Sequence, residues 1–98
     1  MLVKVHKSYR EIVAVCDSDL LGKVFEEGIR IIDVRESFYN GEEVSEKEVL
    51  ELMIDMSKED ANFSIVGKES VQIALKAGII DKEGIIKVQG IPFALVLM

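Results

Sequence analysis

Within LVKVHKSYR, residues 2–10, the cationic or partly cationic side chains Lys4, His6, Lys7 and Arg10 surround a tyrosine, Tyr9. Lysine and arginine neutralise phosphates, and an aromatic ring between them offers a face on which an unpaired base can stack. That combination is the chemistry of single-stranded nucleic-acid binding. His6 is the only histidine, so any histidine-dependent general base or metal centre would have to be built around it. Its cationic neighbours oppose a metal ion, and no side chains stand at metal-ligand spacing. The simpler reading of His6 is a surface side chain on the polar face of a strand.

Three further groups could do chemistry. Glu48, Glu51 and Asp55 fall at i, i+3 and i+7 and share one helix face, as a divalent-ion site or an acid–base pair would; a solvated helix face accounts for them as well. GKES, residues 67–70, puts a glycine and a lysine at a helix start after a strand, where backbone N–H groups could accept an anion. It lacks the upstream glycine and the Lys-Ser/Thr pair of a nucleotide-binding P-loop, which leaves an ordinary glycine cap. In SFYNG, residues 37–41, adjacent aromatics precede a turn at Asn40-Gly41. Neighbours in an extended segment point opposite ways, so Phe38 is expected in the core and Tyr39 and Asn40 on display.

These residues need elements to hold them. LVKVHK alternates Val3 and Val5 against Lys4 and His6, and EIVAVC, 11–16, is almost wholly apolar; the two read as strands joined by a turn at Ser8, Tyr9 and Arg10. Leu20, Leu21, Val24 and Phe25 predict a first helix over 18–27, closed by Gly28. IRIIDV, 29–34, returns to strand composition. Asn40-Gly41 reverses the chain through positive φ, and Ser45 with Glu48 forms a capping box for a helix over 45–56. A strand over 62–67, a third helix stopped by Gly78, and strands over 85–89 and 92–97 around Gly90 complete the order ββαβαβαββ. The expected fold is α/β (α+β): a two-layer sandwich, a mixed sheet of about six strands with three helices mainly on one face.

The 98 residues suit one domain, 1–98, with 49% hydrophobic residues, one proline and no low-complexity tract. No apolar run approaches the roughly 20 residues of a spanning helix, and no apolar block resembles a secretory signal. The lone Cys16 ends an apolar run and has no partner for a disulfide, which fits a buried thiol in a reducing cytoplasm. With 18 acidic against 12 basic residues the net charge is −6, which disfavours nonspecific nucleic-acid binding while leaving room for a local basic patch. The bias toward Glu and Lys, with two Asn and two Gln, is the composition of proteins from hot environments.

The runs SDLLGKVFEEGIRIIDVRESFYNGEEVSEKEV, IVGKESVQIALKAGII and GIPFALVL together cover most of the chain. They resemble the archaeal family known as domain of unknown function 424, most densely in LLGK, 20–23, and SFYNGE, 37–42. The resemblance implies a stand-alone archaeal cytosolic protein attached to information processing, and it brings no reaction and no cofactor. It singles out Gly22, Lys23, Phe38, Tyr39 and Gly41. In the family a polar residue, often histidine, follows the C-terminal proline; here that position is Phe93, which argues against a histidine-based activity.

The leading expectation is a non-enzymatic binding module that contacts RNA or a translation-related partner through Lys4, His6, Lys7, Tyr9 and Arg10, helped by Tyr39. The alternatives are a small enzyme or ligand-binding protein with a pocket near SFYNG, using Lys23, Tyr39 and an acid such as Asp33 or Glu42, and a scaffold that binds only protein. IPFALVLM is apolar on both faces, so either Phe93, Leu95 and Leu97 or Ala94, Val96 and Met98 are expected to cover apolar surface in a homodimer.

Overall fold

The computed structural model describes residues 1–98. Strand β1 (Leu2–His6) and strand β2 (Ile12–Cys16) form the expected antiparallel hairpin. The main sheet is completed by β5 (Glu42–Glu43), β6 (Asn62–Val66), β7 (Ile86–Val88) and β8 (Ile91–Val96), in the order β5-β1-β2-β6-β8-β7. Only β2 and β6 run parallel. A strand returning parallel needs a long crossover, and here the crossover carries everything between Asp17 and Ala61.

Helices α2 (Glu46–Ser57) and α3 (Lys68–Ala77) lie on one face. The side chains that alternate toward them, Val3, Val13, Val15, Phe63 and Ile65, pack with Val49, Met53, Val71, Ile73 and Ala74. Phe63 and Met53 are among the largest fully buried side chains, each worth about 1.5–3 kcal/mol of burial. The sequence signals for both helices hold. Ser45 and Glu48 form the reciprocal capping box, and Gly78 ends α3 in the left-handed conformation at φ 74°.

The predicted helix over 18–27 does not form. Ser18–Leu20 make one 3-10 turn, Gly22 takes φ 83°, and the chain then runs as β3 (Val24–Glu27) and β4 (Arg30–Asp33), an antiparallel hairpin of its own. A glycine in the left-handed region cannot continue a helix. Gly28, at φ 64°, is the first central residue of the two-residue loop between Glu27 and Arg30, a hairpin signature rather than a helix stop. Strand 29–34 therefore leaves the main sheet, and the two-residue β5 takes the sixth place. The β3–β4 hairpin and the single-turn helix α1 (Glu36–Tyr39) cover part of the second sheet face, burying Leu20, Ile32, Val34 and Tyr39 against Leu2, Ala14, Cys16, Val66 and Val88. Gln89 fastens the hairpin by donating its backbone N–H to Glu27 and its side-chain amide to the Glu26 carbonyl. No helix is long and apolar enough to cross a membrane.

Candidate functional site

The turn joining β1 to β2 carries the tyrosine and two cationic side chains, Lys7 and Arg10. Alternation along β1 sends Lys4 and His6 to the face shared with α1. There Lys4 Nζ donates to the Ser37 carbonyl at 3.0 Å, and His6 Nε2 lies 2.8 Å from the Phe38 carbonyl. Since a carbonyl only accepts, Nε2 carries the proton. The His6 ring stacks on Phe38 with centroids 4.5 Å apart and planes 15° from parallel. His6 is thus half-buried against α1 instead of exposed, and it and Lys4 satisfy the free carbonyls at the end of that helix. Lys7, Tyr9 and Arg10 form the tip. Arg10 donates to the Asp60 carbonyl at 3.1 Å, Lys7 stands 3.9 Å from Glu11, and Tyr9 is fully exposed. Lys4 and Arg10 bond neutral carbonyls in these contacts, so the contacts leave their positive charge uncancelled.

The SFYNG corner reverses the expectation for its aromatics. Tyr39 is buried at 4% exposure, with its hydroxyl 2.7 Å from Ser64 Oγ, and Phe38 is half-buried. Residues 36–39 form a turn of helix, and the two-fold alternation of an extended segment does not apply to it. Burial pushes the Tyr39 hydroxyl above the ordinary phenol value, partly offset by the Ser64 hydrogen bond. Asn40 is exposed as expected. Gly41 has no positive φ. Glycine is required there because the chain passes against β1, where a Cβ would stand 1.9 Å from the Val3 carbonyl oxygen.

The anion at the start of α3 is built in. Asp17, at the end of β2, accepts hydrogen bonds from the backbone N–H groups of Glu69 and Ser70 at 3.1 and 2.8 Å and from the Ser70 hydroxyl at 2.7 Å. Gly67 gives this carboxylate its room, since a Cβ at that position would meet Asp17 Cγ at 2.3 Å. GKES is therefore a structural cap, and the sequence offered no sign of its distant partner. Next to it the buried Cys16 thiol is pushed up to about 11, first by burial and then by Asp17, the reverse of an activated nucleophile.

Gly22 and Lys23 are exposed and extend the β3–β4 ladder, with Gly22 N–H donating to the Val34 carbonyl and Val34 N–H to the Lys23 carbonyl. Lys23 and Tyr39 line no concavity in common, which removes the pocket drawn from those two residues. A different concavity, of about 570 Å³, lies between the outer edge of β1, Asn40-Gly41 and α2.

A family model described as "Protein of unknown function (DUF424)" matches residues 6–98. The chain belongs to the DUF424 family. The resemblance carried by LLGK and SFYNGE is thereby sustained. Among solved structures, this DUF424 chain is similar to the crystal structure of an uncharacterized conserved protein from Methanopyrus kandleri, at 21% identity and a TM-score of 0.84, covering 98% of this chain and 90% of the other. That likeness shows a shared fold. No curated protein matches the chain.

Proposed function

We propose that this DUF424 protein is a non-enzymatic module that binds RNA, in the translation-related cytosolic setting its family resemblance implies, with Lys7, Tyr9 and Arg10 as the contact. The observation that carries the reading is the fully exposed Tyr9 ring between two cations at the tip of a hairpin anchored in the main sheet. An exposed aromatic of this size wins nothing for folding, whereas a base stacked on it contributes about 1–3 kcal/mol. The test is filter binding of a single-stranded RNA oligonucleotide at two salt concentrations. Wild type binds more weakly as salt rises, Tyr9→Ala weakens binding by roughly five- to a hundredfold, and Lys7→Gln flattens the salt dependence. Absence of binding at low salt, or a Tyr9→Ala protein that binds like wild type, rejects the reading.

A homodimer through the end of β8 accompanies it. The alternate set Ala94 and Val96 packs toward the helices, whereas Leu95 and Leu97 on the opposite face are 53% and 75% exposed. The β3–β4 hairpin covers part of that face and leaves these two outside it. Sedimentation equilibrium of wild type and Leu97→Glu tests the point: a monomer at high concentration, or a dimer indifferent to the charge, discards it.

A further inference from the structure

At the far edge of the main sheet, α3 and β7 border a surface of a different kind. In α3, Lys68, Val71, Gln72 and Leu75 stand at i, i+3, i+4 and i+7 and share one flank. β7 is the outermost strand and pairs only with β8. Lys87 turns toward the helices with its pair partner Pro92, while Ile86 turns with Val88 toward the β3–β4 hairpin. Two contiguous concavities of about 340 and 690 Å³ run along this edge, with Leu75, Ile85 and Lys87 common to both. Their rim carries Arg30, Lys68, Lys82 and Lys87 against a single acid, Glu83, in a chain whose net charge is −6. The ion pairs of the molecule join Met1 to Glu43, Lys7 to Glu11 and Arg35 to Asp33, and use none of these four cations.

We propose that this trough docks a segment of a partner protein that carries both acidic and apolar side chains. The charge follows from the rim, since a cationic island in an acidic chain attracts an anion that the rest of the surface repels. The apolar part follows from the floor. Val71, Leu75, Ile85 and Pro92 are aliphatic, and Ile86 at the edge is 41% exposed. Neither concavity has an aromatic ring on which a base could stack, so the floor favours apolar side chains over a nucleic acid. Both sides of the β7 edge repeat the combination, with Lys87 and Leu75 on the helix side and Arg30 and Ile86 on the hairpin side. A bound chain therefore meets a cation and an aliphatic side chain on either face, and no alternation of acidic and apolar residues is required. The trough is open along its length, which suits a chain lying across it better than an enclosed small molecule. It shares no residue with the Tyr9 tip and stands apart from the RNA reading.

The test uses a short synthetic peptide repeating Glu-Glu-Leu-Leu, which places both residue types on each side of an extended chain, followed by fluorescence anisotropy and by amide chemical shifts of the full chain. The peptide binds, more weakly as salt rises, and shifts the Leu75, Ile85 and Lys87 amides. Lys87→Glu weakens binding roughly tenfold, whereas Lys47→Glu, the same charge change at an exposed position of α2, leaves it unchanged. A peptide repeating Glu-Glu-Ser-Ser binds several-fold more weakly, as loss of contact with the floor requires. Equal losses in Lys87→Glu and Lys47→Glu overturn the proposal, because net charge alone would then explain the binding. So do a serine peptide of unchanged affinity, shifts confined to other surfaces, and no binding at millimolar peptide. A single-stranded RNA oligonucleotide that displaces the peptide from the wild type and no longer binds Lys87→Glu assigns the trough to nucleic acid, and overturns it as well.

Discussion

Tyr9 and Tyr39 are the two tyrosines of the chain, and the fold treats them in opposite ways. Tyr39 is enclosed between α1 and the sheet and hands its hydroxyl to Ser64. Tyr9 stands free in solvent at a hairpin tip. A buried aromatic with a satisfied polar end contributes to stability. An aromatic left wholly in water, with cations beside it, contributes nothing there and is available to a ligand. The corner expected to display Tyr39 is a foundation, and the turn expected to offer Tyr9 holds the exposed ring.

The sharpest way to break this contrast is to truncate both rings. Tyr39→Ala should lower the unfolding free energy by about 3–5 kcal/mol, whereas Tyr9→Ala should stay within about 0.5 kcal/mol of wild type. Urea titration followed by circular dichroism measures both, and equal losses would abolish the distinction. A smaller effect belongs to the cap at the end of β2. Asp17→Ala leaves the buried Ser70 hydroxyl and N–H without their acceptor and should cost about 2–3 kcal/mol; a variant as stable as wild type would show that water replaces the carboxylate at no cost.

The smallest effect is a pH dependence on the Tyr39 side of the sheet. The Cys16 thiol is raised from 9.0 to about 11 in the folded chain, so the fold favours the neutral form. Its contribution is complete below pH 9 and is lost as pH climbs toward 11, because the unfolded chain gives up the proton first. The raised Tyr39 hydroxyl acts in the same direction from its ordinary value of 10.0 upward. Thermal unfolding midpoints should fall over this range in wild type and fall less in Cys16→Ala. Parallel curves for the two proteins would contradict the assignment.

Much of this molecule was legible in its residues because the signals were local. The alternation of LVKVHK, the Ser45–Glu48 box and Gly78 each act within a few positions, and each produced the element it announced. The segment 18–27 misled because Leu20, Leu21, Val24 and Phe25 satisfy a helical stripe, while Gly22, at its centre, and the EEGIR turn were the stronger evidence for a hairpin. The candidate site was less legible than the fold. Tyr39 and Ser64 are far apart in sequence, as are Asp17 and Ser70, and no periodicity encodes such a meeting. The concavity beside β1 depends on where β5 stops, and the chain before β5 is coiled into α1.

The single parallel contact at the middle of the sheet also governs how the chain reaches this state. The β1–β2, β3–β4 and β7–β8 hairpins close over short turns and can form within microseconds. None of them joins the two halves of the main sheet. That requires Ile12 to meet Asn62 and Cys16 to meet Val66 across the whole crossover, a closure whose entropy is lost before any contact repays it. Topology therefore predicts the meeting of β2 with β6 as the slow step of folding, with Asp17, which follows β2 and bonds the start of α3 after β6, set only once the two strands are paired.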